Sequence, residues 1–402
     1  MLAWAALQMA WSDQPTLAQR FESARVTLEQ MFPGRRRVGG SYQGFVKMLG
    51  RWSPRLLRLL HAHWRRALRK VAGACWTIDG WAVFAVDGTK ADLPRTAALE
   101  KSFGVAGKDK SRPQSLVTCL LHLATGVTWA AHVGPATASE RGHLRRLMTL
   151  LPTGSLWLAD AGFTGYQLLS RLHHSGRFFV IRAASNLRLL TDLGWQIERQ
   201  GQIVYLWPDS HRRAGRAPLV LRLIRLTPGR GKRVWLLTNV LDPQRLSDEQ
   251  AGVFYRLRWG IEVQYRTLKQ TMGRRKMLSQ SPALAALELR WTLSGLWLLQ
   301  LLTARSQIEA GRLSPLRMSI AQAKRRLRAM LRQPSRRLRR GDNLTRRLRQ
   351  AIQDTYQRRG SKNARNWPHK KTEHPPGDPR INPATPLQIK QAKAFENLKL
   401  TG

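Results

Sequence analysis

The chain is poor in acid. Its 402 residues carry 24 Asp and Glu against 69 Lys and Arg, a formal charge of +45. Packing does not require such an excess, and self-repulsion opposes the compact state. A polyanion relieves it, and nucleic acid does so with release of a counterion at each neutralised phosphate. Cysteine is almost absent. Cys75 and Cys119 cannot build a disulfide framework, which argues against a disulfide-stapled secreted domain and fits a reducing compartment. There is no Cys/His cluster with the spacing of a zinc site. Long apolar runs are missing too. The longest, Trp291 to Leu302, is interrupted by Thr292, Ser294 and Gln300, and its length of about 12 residues predicts a buried core helix, not a membrane span. The apolar opening MLAWAALQMAWSDQ has no basic stretch ahead of it and no convincing cleavage site, so a secretory signal is not expected.

What is present suffices for a core. The hydrophobic content is 43%, and the length suggests two or three domains. Residues 1–78 read as a small basic helical domain with a candidate role in DNA binding. SARVTLEQMF and SPRLLRLLHAHWRRALRKV show apolar residues at helical spacing, and Ser53-Pro54 is expected to cap and open the second of these helices. From residue 79 the texture changes. WAVFAVDGT, SLVTCLLHL and GVTWAAHVG read as strands, the last two forming a hairpin over an ATG turn. SERGHLRRLMTLL is a helix with Ser139 as its cap, SLWLAD a short strand, GYQLLSRLHHSG a helix stopped by Gly176, and RFFVIRAAS another strand. The order β-β-β-α-β-α-β over 79–186 describes a mixed α/β domain. Residues 187–246 carry strand patterns without a helical period and read as a β-rich insertion. Helix returns at Ser247, which with Gln250 forms a capping pattern, and runs without a break to about Met272; residues 247–310 read as the second part of the α/β core. Residues 311–402 read as a basic C-terminal extension. From Arg317 to Lys371 it holds 19 Lys and Arg against two acids, Asp342 and Asp354, and the Pro-, Lys- and Asn-rich stretch 360–384 is expected to be disordered.

In so acid-poor a chain, the placement of each acid is informative. Phosphodiester chemistry on DNA uses hard divalent ions held by a few converging carboxylates. Asp87 is expected at the end of the strand WAVFAV, just before Gly88, and Asp160 at the end of SLWLA. Either one alone is equally well explained as turn chemistry. The helix from Ser247 adds geometry: at 100° per residue, Tyr255, Arg258, Glu262 and Lys269 fall within an arc of about 60°. A solvated charged face is the ordinary reading of such a stripe, with Arg258 and Glu262 pairing at i,i+4. A lone carboxylate beside three DNA-compatible groups also suits a metal ligand flanked by phosphate contacts.

The segment YRLRWGIEVQYRTLK resembles the signature of the IS4 family of bacterial insertion-sequence transposases: Tyr, two residues, Arg, three residues, Glu, six residues, Lys, matched at Tyr255, Arg258, Glu262 and Lys269. AVDGTK and LADAGFTGY resemble the two Asp motifs of that family, in the same order. The resemblance covers roughly residues 75–300. It implies an RNase H-like α/β core with a β-rich insertion, in which Asp87, Asp160 and Glu262 hold two Mg²⁺ or Mn²⁺ ions. It implies metal-dependent hydrolysis at insertion-sequence ends followed by strand transfer of the 3′-OH. Tyr255, Arg258 and Lys269 are then the residues that grip DNA near the cut. Trp235 matches the place of a tryptophan that stacks on a flipped base in some members, although packing within a sheet explains it at least as well. The expected partner is double-stranded DNA, held by a homodimer in the bacterial cytoplasm, at the nucleoid. The alternatives are a DNA-binding remnant that no longer cuts, an RNA-binding basic protein, which needs no converging acids, and a plain nuclease, which leaves no strand-transfer product.

Overall fold

In a computed structural model, residues 1–34, 39–105, 112–194, 202–227, 233–311, 317–332, 343–352 and 377–400 are described. The chain opens with the helices α1 (Leu2–Trp11), α2 (Leu17–Met31) and α3 (Tyr42–Ala72). It continues as β1 (Val83–Asp92), α4 (Ala97–Phe103), β2 (Gln114–His122), β3 (Val127–Pro135), α5 (Glu140–Leu147), β4 (Leu156–Ala159), α6 (Tyr166–His174) and β5 (Phe178–Arg182). Then come β6 (Arg188–Thr191), β7 (Ile203–Leu206), α7 (Asp209–Arg213), β8 (Leu219–Leu226), β9 (Val234–Thr238), α8 (Asp248–Leu257) and α9 (Trp259–Arg266). The last elements are α10 (Pro282–Ile308), α11 (Ile320–Leu331), α12 (Leu344–Arg349), β10 (Arg380–Pro383) and α13 (Pro386–Leu400). The fold is mixed α/β, and the expected order β-β-β-α-β-α-β is present as β1-β2-β3-α5-β4-α6-β5, with the short helix α4 added between β1 and β2.

The chain forms two compact units. The first comprises Met1–Ser155 and Leu257–Gln353. Its strands form an antiparallel meander, β1 pairing with β2 and β2 with β3. Its core is α10, buried on nearly every face between Leu289 and Ala304 as befits a helix apolar all round. This is the run that the sequence marks as a core helix, and no helix among the described residues is long and apolar enough to cross a membrane. α1, α3, β3, α11 and α12 pack around α10. α1 approaches very closely: a Cβ on Gly295 would lie 2.7 Å from the Cβ of Ala10, and the Trp11 indole donates to the Gly295 carbonyl at 2.9 Å.

One expectation fails in α3. Ser53-Pro54 does not open a helix; the helix begins at Tyr42, capped by Ser41, and runs through Pro54 to Ala72. Proline removes one helical hydrogen bond and crowds the carbonyl four residues back. Against that local penalty stands a long apolar stripe, Phe45, Leu49, Leu57, Trp64, Leu68 and Ala72, all buried. Ser53 is buried in the same stripe, and its hydroxyl accepts the Trp291 indole N–H at 2.7 Å instead of capping. Tertiary burial thus outweighs the local signal.

The second unit comprises Leu156–Arg256 and Asp354–Gly402. Its strands follow the order β10-β6-β7-β8-β9-β5-β4. β4 and β5 are parallel, as are β6 and β10, and the remaining pairs are antiparallel. β10 corrects the expectation of disorder across 360–384, since residues 380–383 add a strand to β6; residues 360–376 of that stretch lie outside the described residues. Leu193, Tyr205, Trp207 and Ala392 form a small buried cluster, with Phe395 of α13 packed against it.

Candidate active site

Asp87 does not end its strand. β1 continues through the Asp-Gly pair to Asp92, because β2 is long enough to carry the pairing: Asp87 lies opposite Cys119, Gly88 opposite Thr118, and Asp92 opposite Gln114. Asp87 is half-buried, and its Oδ1 accepts the Gly88 N–H at 2.8 Å. Gly88 leaves room here for the Glu140 carboxylate. A Cβ would fall 2.0 Å from Oε1 of Glu140, whose carboxylate in the first turn of α5 lies against the glycine.

Asp160 meets its expectation of a strand end, one residue past β4. It caps a single 3₁₀ turn, Ala161–Phe163, with Oδ1 accepting the Gly162 N–H at 2.9 Å.

The helix expected to run unbroken from Ser247 to Met272 is in three pieces. Ser247 does cap α8, accepting the Gln250 N–H at 3.1 Å. α8 ends at Leu257, α9 begins at Trp259, and the turn Thr267–Thr271 is π-helical. Sequence periodicity does not register such breaks, since the backbone at Arg258 keeps helical dihedrals (φ −50, ψ −31). Wider π turns recur at functional sites, and this one carries Lys269. Half-burial pulls the Lys269 ammonium below its ordinary pKa, an effect opposed by Asp92 and reinforced by Arg275. Arg258 and Glu262 pair across the first turn of α9, Nη2 to Oε1 at 3.2 Å. That is the i,i+4 contact weighed as the structural alternative. Tyr255 is half-buried on α8. Trp235, on β9, is also half-buried; its indole donates to Asp378 Oδ1 at 2.8 Å, and the Arg225 guanidinium lies 5.7 Å from the ring centroid.

α9 lies on β1 and β2, the strands of Asp87 and its register partner. Gly260 permits the approach, since a Cβ there would stand 3.3 Å from the Leu123 side chain, just beyond β2. Two buried residues fasten the helix, and neither stands out in the sequence. The Gln264 amide donates to Thr128 Oγ1 at 2.7 Å and accepts from the Gln300 amide at 2.5 Å, while Gln300 also receives the Thr128 N–H at 3.2 Å. The Tyr265 hydroxyl receives the Cys119 N–H at 3.2 Å and donates to the Asp87 carbonyl. Burial lifts the Tyr265 phenol well above its ordinary pKa, so the proton needed for that donation stays in place. Tyr265 follows Glu262 by three residues, a spacing that puts both on one side of a helix; this is the one trace of its role in the sequence.

The structure therefore places Asp87, Arg258, Glu262 and Lys269 in the first unit, and Asp160, Trp235 and Tyr255 in the second. Among the described residues, no three His, Cys, Asp or Glu side chains are grouped to hold a metal ion. The chemistry of the candidate donors is still selective: Asp87, Asp160 and Glu262 offer carboxylate oxygen alone, which suits hard ions such as Mg²⁺ and Mn²⁺.

A model of the transposase DDE domain matches residues 82–299, more than half of the chain. The chain belongs to the DDE transposase family. Membership implies a divalent metal requirement in general terms, and the matched span contains all three candidate acids. Among curated proteins, the chain is 27% identical over 224 residues to the transposase InsG of insertion sequence element IS4 from Escherichia coli, in agreement with the IS4-like signature. That match covers 52% of this chain and 49% of the relative, so the chain spans about half the length of the curated protein it matches. Among solved structures, a piggyBac transposase synaptic complex with hairpin DNA matches at 14% identity and a TM-score of 0.38. It covers 70% of this chain and 59% of that one, a likeness too slight to support an argument.

Proposed function

We propose that this DDE-family chain is an active transposase that hydrolyses a phosphodiester bond at each end of an insertion sequence and transfers the freed 3′-OH to target DNA. The observation that carries the reading is the coincidence, inside one family match, of Asp87, Asp160 and the complete Tyr255–Arg258–Glu262–Lys269 spacing. Asp87, Asp160 and Glu262 would hold two Mg²⁺ or Mn²⁺ ions when the units and DNA are assembled. Such ions lower the pKa of bound water and stabilise a leaving oxygen. The chain's own residues do the positioning. The Gly88 N–H orients one oxygen of Asp87, the Gly162 N–H does the same for Asp160, and Arg258 steadies Glu262. With Glu262 committed to its ligand role, Arg258, Lys269 and Tyr255 supply donors for phosphate oxygens. Trp235 is the candidate stacking platform, its ring half-exposed and paired with Arg225.

Duplex DNA has a second candidate surface. α3 contains no acid in 31 residues, and its exposed Lys47, Arg51, Arg55, Arg58, Arg66 and Arg69 recur at three-, four- and eight-residue steps. That spacing makes one basic stripe, suited to sequence-independent phosphate contact. Holding two ends together calls for a homodimer, and the nucleoid is the place for the reaction.

The test uses the full chain, Mg²⁺ and duplexes containing the DNA that flanks the coding sequence. Nicking and joined products are expected from the wild type. Asp87→Ala, Asp160→Ala and Glu262→Ala should each abolish both and still retain DNA. A wild type that binds these duplexes and never nicks them would leave the remnant reading standing, and nicking without joined products would indicate a plain nuclease.

A further inference from the structure

The clue is a hydroxyl seated against one paired position of two strands. Asp87 of β1 and Cys119 of β2 face each other in the antiparallel register. The phenol of Tyr265 reaches this pair from α9, accepting from the N–H of Cys119 and giving its own proton to the carbonyl of Asp87. Tyr265 is buried, with 6% of its surface exposed, so it cannot touch DNA directly. Its position three residues after Glu262 joins, through one side chain, the main chain of one candidate ligand to the helix of another. The neighbouring Gln264 holds the same helix to β3 through Thr128, so α9 is fixed to the meander on two sides. Only the Tyr265 bond ends on a candidate ligand.

We propose that Tyr265 is a positioning residue: its hydroxyl sets the separation between the backbone of Asp87 and the helix that carries Glu262, and so prepares both carboxylates for one metal ion. Asp87 and Cys119 are already partners in the strand ladder, so removing the hydroxyl leaves the strand pair intact and takes away the bond that ties the Asp87 carbonyl to α9. α9 is then free to drift from β1, which changes the separation between Asp87 and Glu262. The fold survives this change, because the ring of a phenylalanine fills the same space. The ligand spacing does not survive it. Outer residues that orient metal ligands are typically worth about 10- to 100-fold in metal affinity.

This inference rests on the proposed assignment of Asp87 and Glu262 as metal ligands, and the experiment separates the two ideas. Mn²⁺ is titrated into the full-length wild type, Tyr265→Phe, Asp87→Asn and Ser53→Ala, with free Mn²⁺ followed by electron paramagnetic resonance and each melting temperature recorded. Ser53→Ala removes the Trp291–Ser53 hydrogen bond, a buried polar contact between α3 and α10. It therefore reports what loss of stability alone does. We expect Asp87→Asn to lose Mn²⁺ binding, Tyr265→Phe to bind about tenfold more weakly, and Ser53→Ala to bind as the wild type does, even where it melts lower. Wild-type affinity in Tyr265→Phe overturns the positioning role and leaves the metal assignment intact. An equal loss in Ser53→Ala also overturns it, by showing that affinity follows stability. Unchanged binding in Asp87→Asn overturns the metal assignment, and this inference with it.

Discussion

Asp87 and Asp160 present the same carboxyl group from two differently built regions. Asp87 sits in the middle of a strand in the helix-rich unit, with its carbonyl tied to a helix 178 residues away in sequence. Asp160 sits in the sheet-rich unit and caps one short turn of its own chain. The first is held by tertiary structure and the second by local structure. A carboxylate fixed by distant contacts should be sensitive to changes far from it in sequence, whereas a capping carboxylate should notice little beyond its own turn.

The largest effect, loss of nicking to background in Asp87→Ala and in Asp160→Ala alike, would confirm that the two acids are equal in chemistry. Retained nicking in either one would break the comparison at its base. The next effect belongs to the helix-rich unit alone. Its His122 is buried and its His61 half-buried, and both are held neutral, each with a pKa pulled down to about 4 by desolvation. Nε2 of His122 must donate to the Trp76 carbonyl, 2.9 Å away, which leaves Nδ1 to accept from Thr125. Nε2 of His61 donates to Ser294, whose own proton goes to the Arg290 carbonyl. Both pKa values are depressed, so between about 4 and the ordinary 6.5 the unfolded chain binds more protons than the folded one. Stability is full above that window and falls as the pH drops through it. Melting curves recorded from pH 7 to 4 should show the decline, and His122→Gln should flatten it.

Within the same unit, Trp297→Ala empties a fully buried site on α10 and should cost about 3–5 kcal/mol in denaturant unfolding. A smaller change tests how Asp87 is packed. Gly88→Ala pushes against the Glu140 carboxylate and should cost about 1–3 kcal/mol. Combining it with Glu140→Ala should recover part of the loss, and strict additivity of the two would show that the contact is not felt. The smallest effect lies on the other side of the comparison. Asp160→Asn keeps an oxygen for the Gly162 N–H and should melt like the wild type, while Asp160→Ala gives up the cap and about 1 kcal/mol. Both should be dead in the nicking assay, which separates the capping role of Asp160 from its chemistry.

The sequence exposes what is local or periodic and hides what is not. The hairpin of β2 and β3, the Ser139 and Ser247 caps, the stop at Gly176 and the buried character of α10 are all legible, because each depends on a few neighbouring residues. Asp-Gly at 87–88 and Ser-Pro at 53–54 are strong local signals too, and both mislead. In each case a partner distant in sequence, β2 for the first and α10 for the second, rewards continuing the element where the local rule would end it. The break at Arg258 and the π turn from Thr267 are invisible for a different reason: neither alters composition, and the backbone at Arg258 stays helical. At the candidate site, the acids and the basic signature are legible through their resemblance to the family motifs. Tyr265 cannot, because its meaning depends on which strand pair lies beneath α9.

The notch at Gly295 bears on what covers the core helix. Ala10 and Trp11 fill it from α1, so both are interior structure. A chain lacking residues 1–30 would leave α10, the core helix of its unit, open along that face.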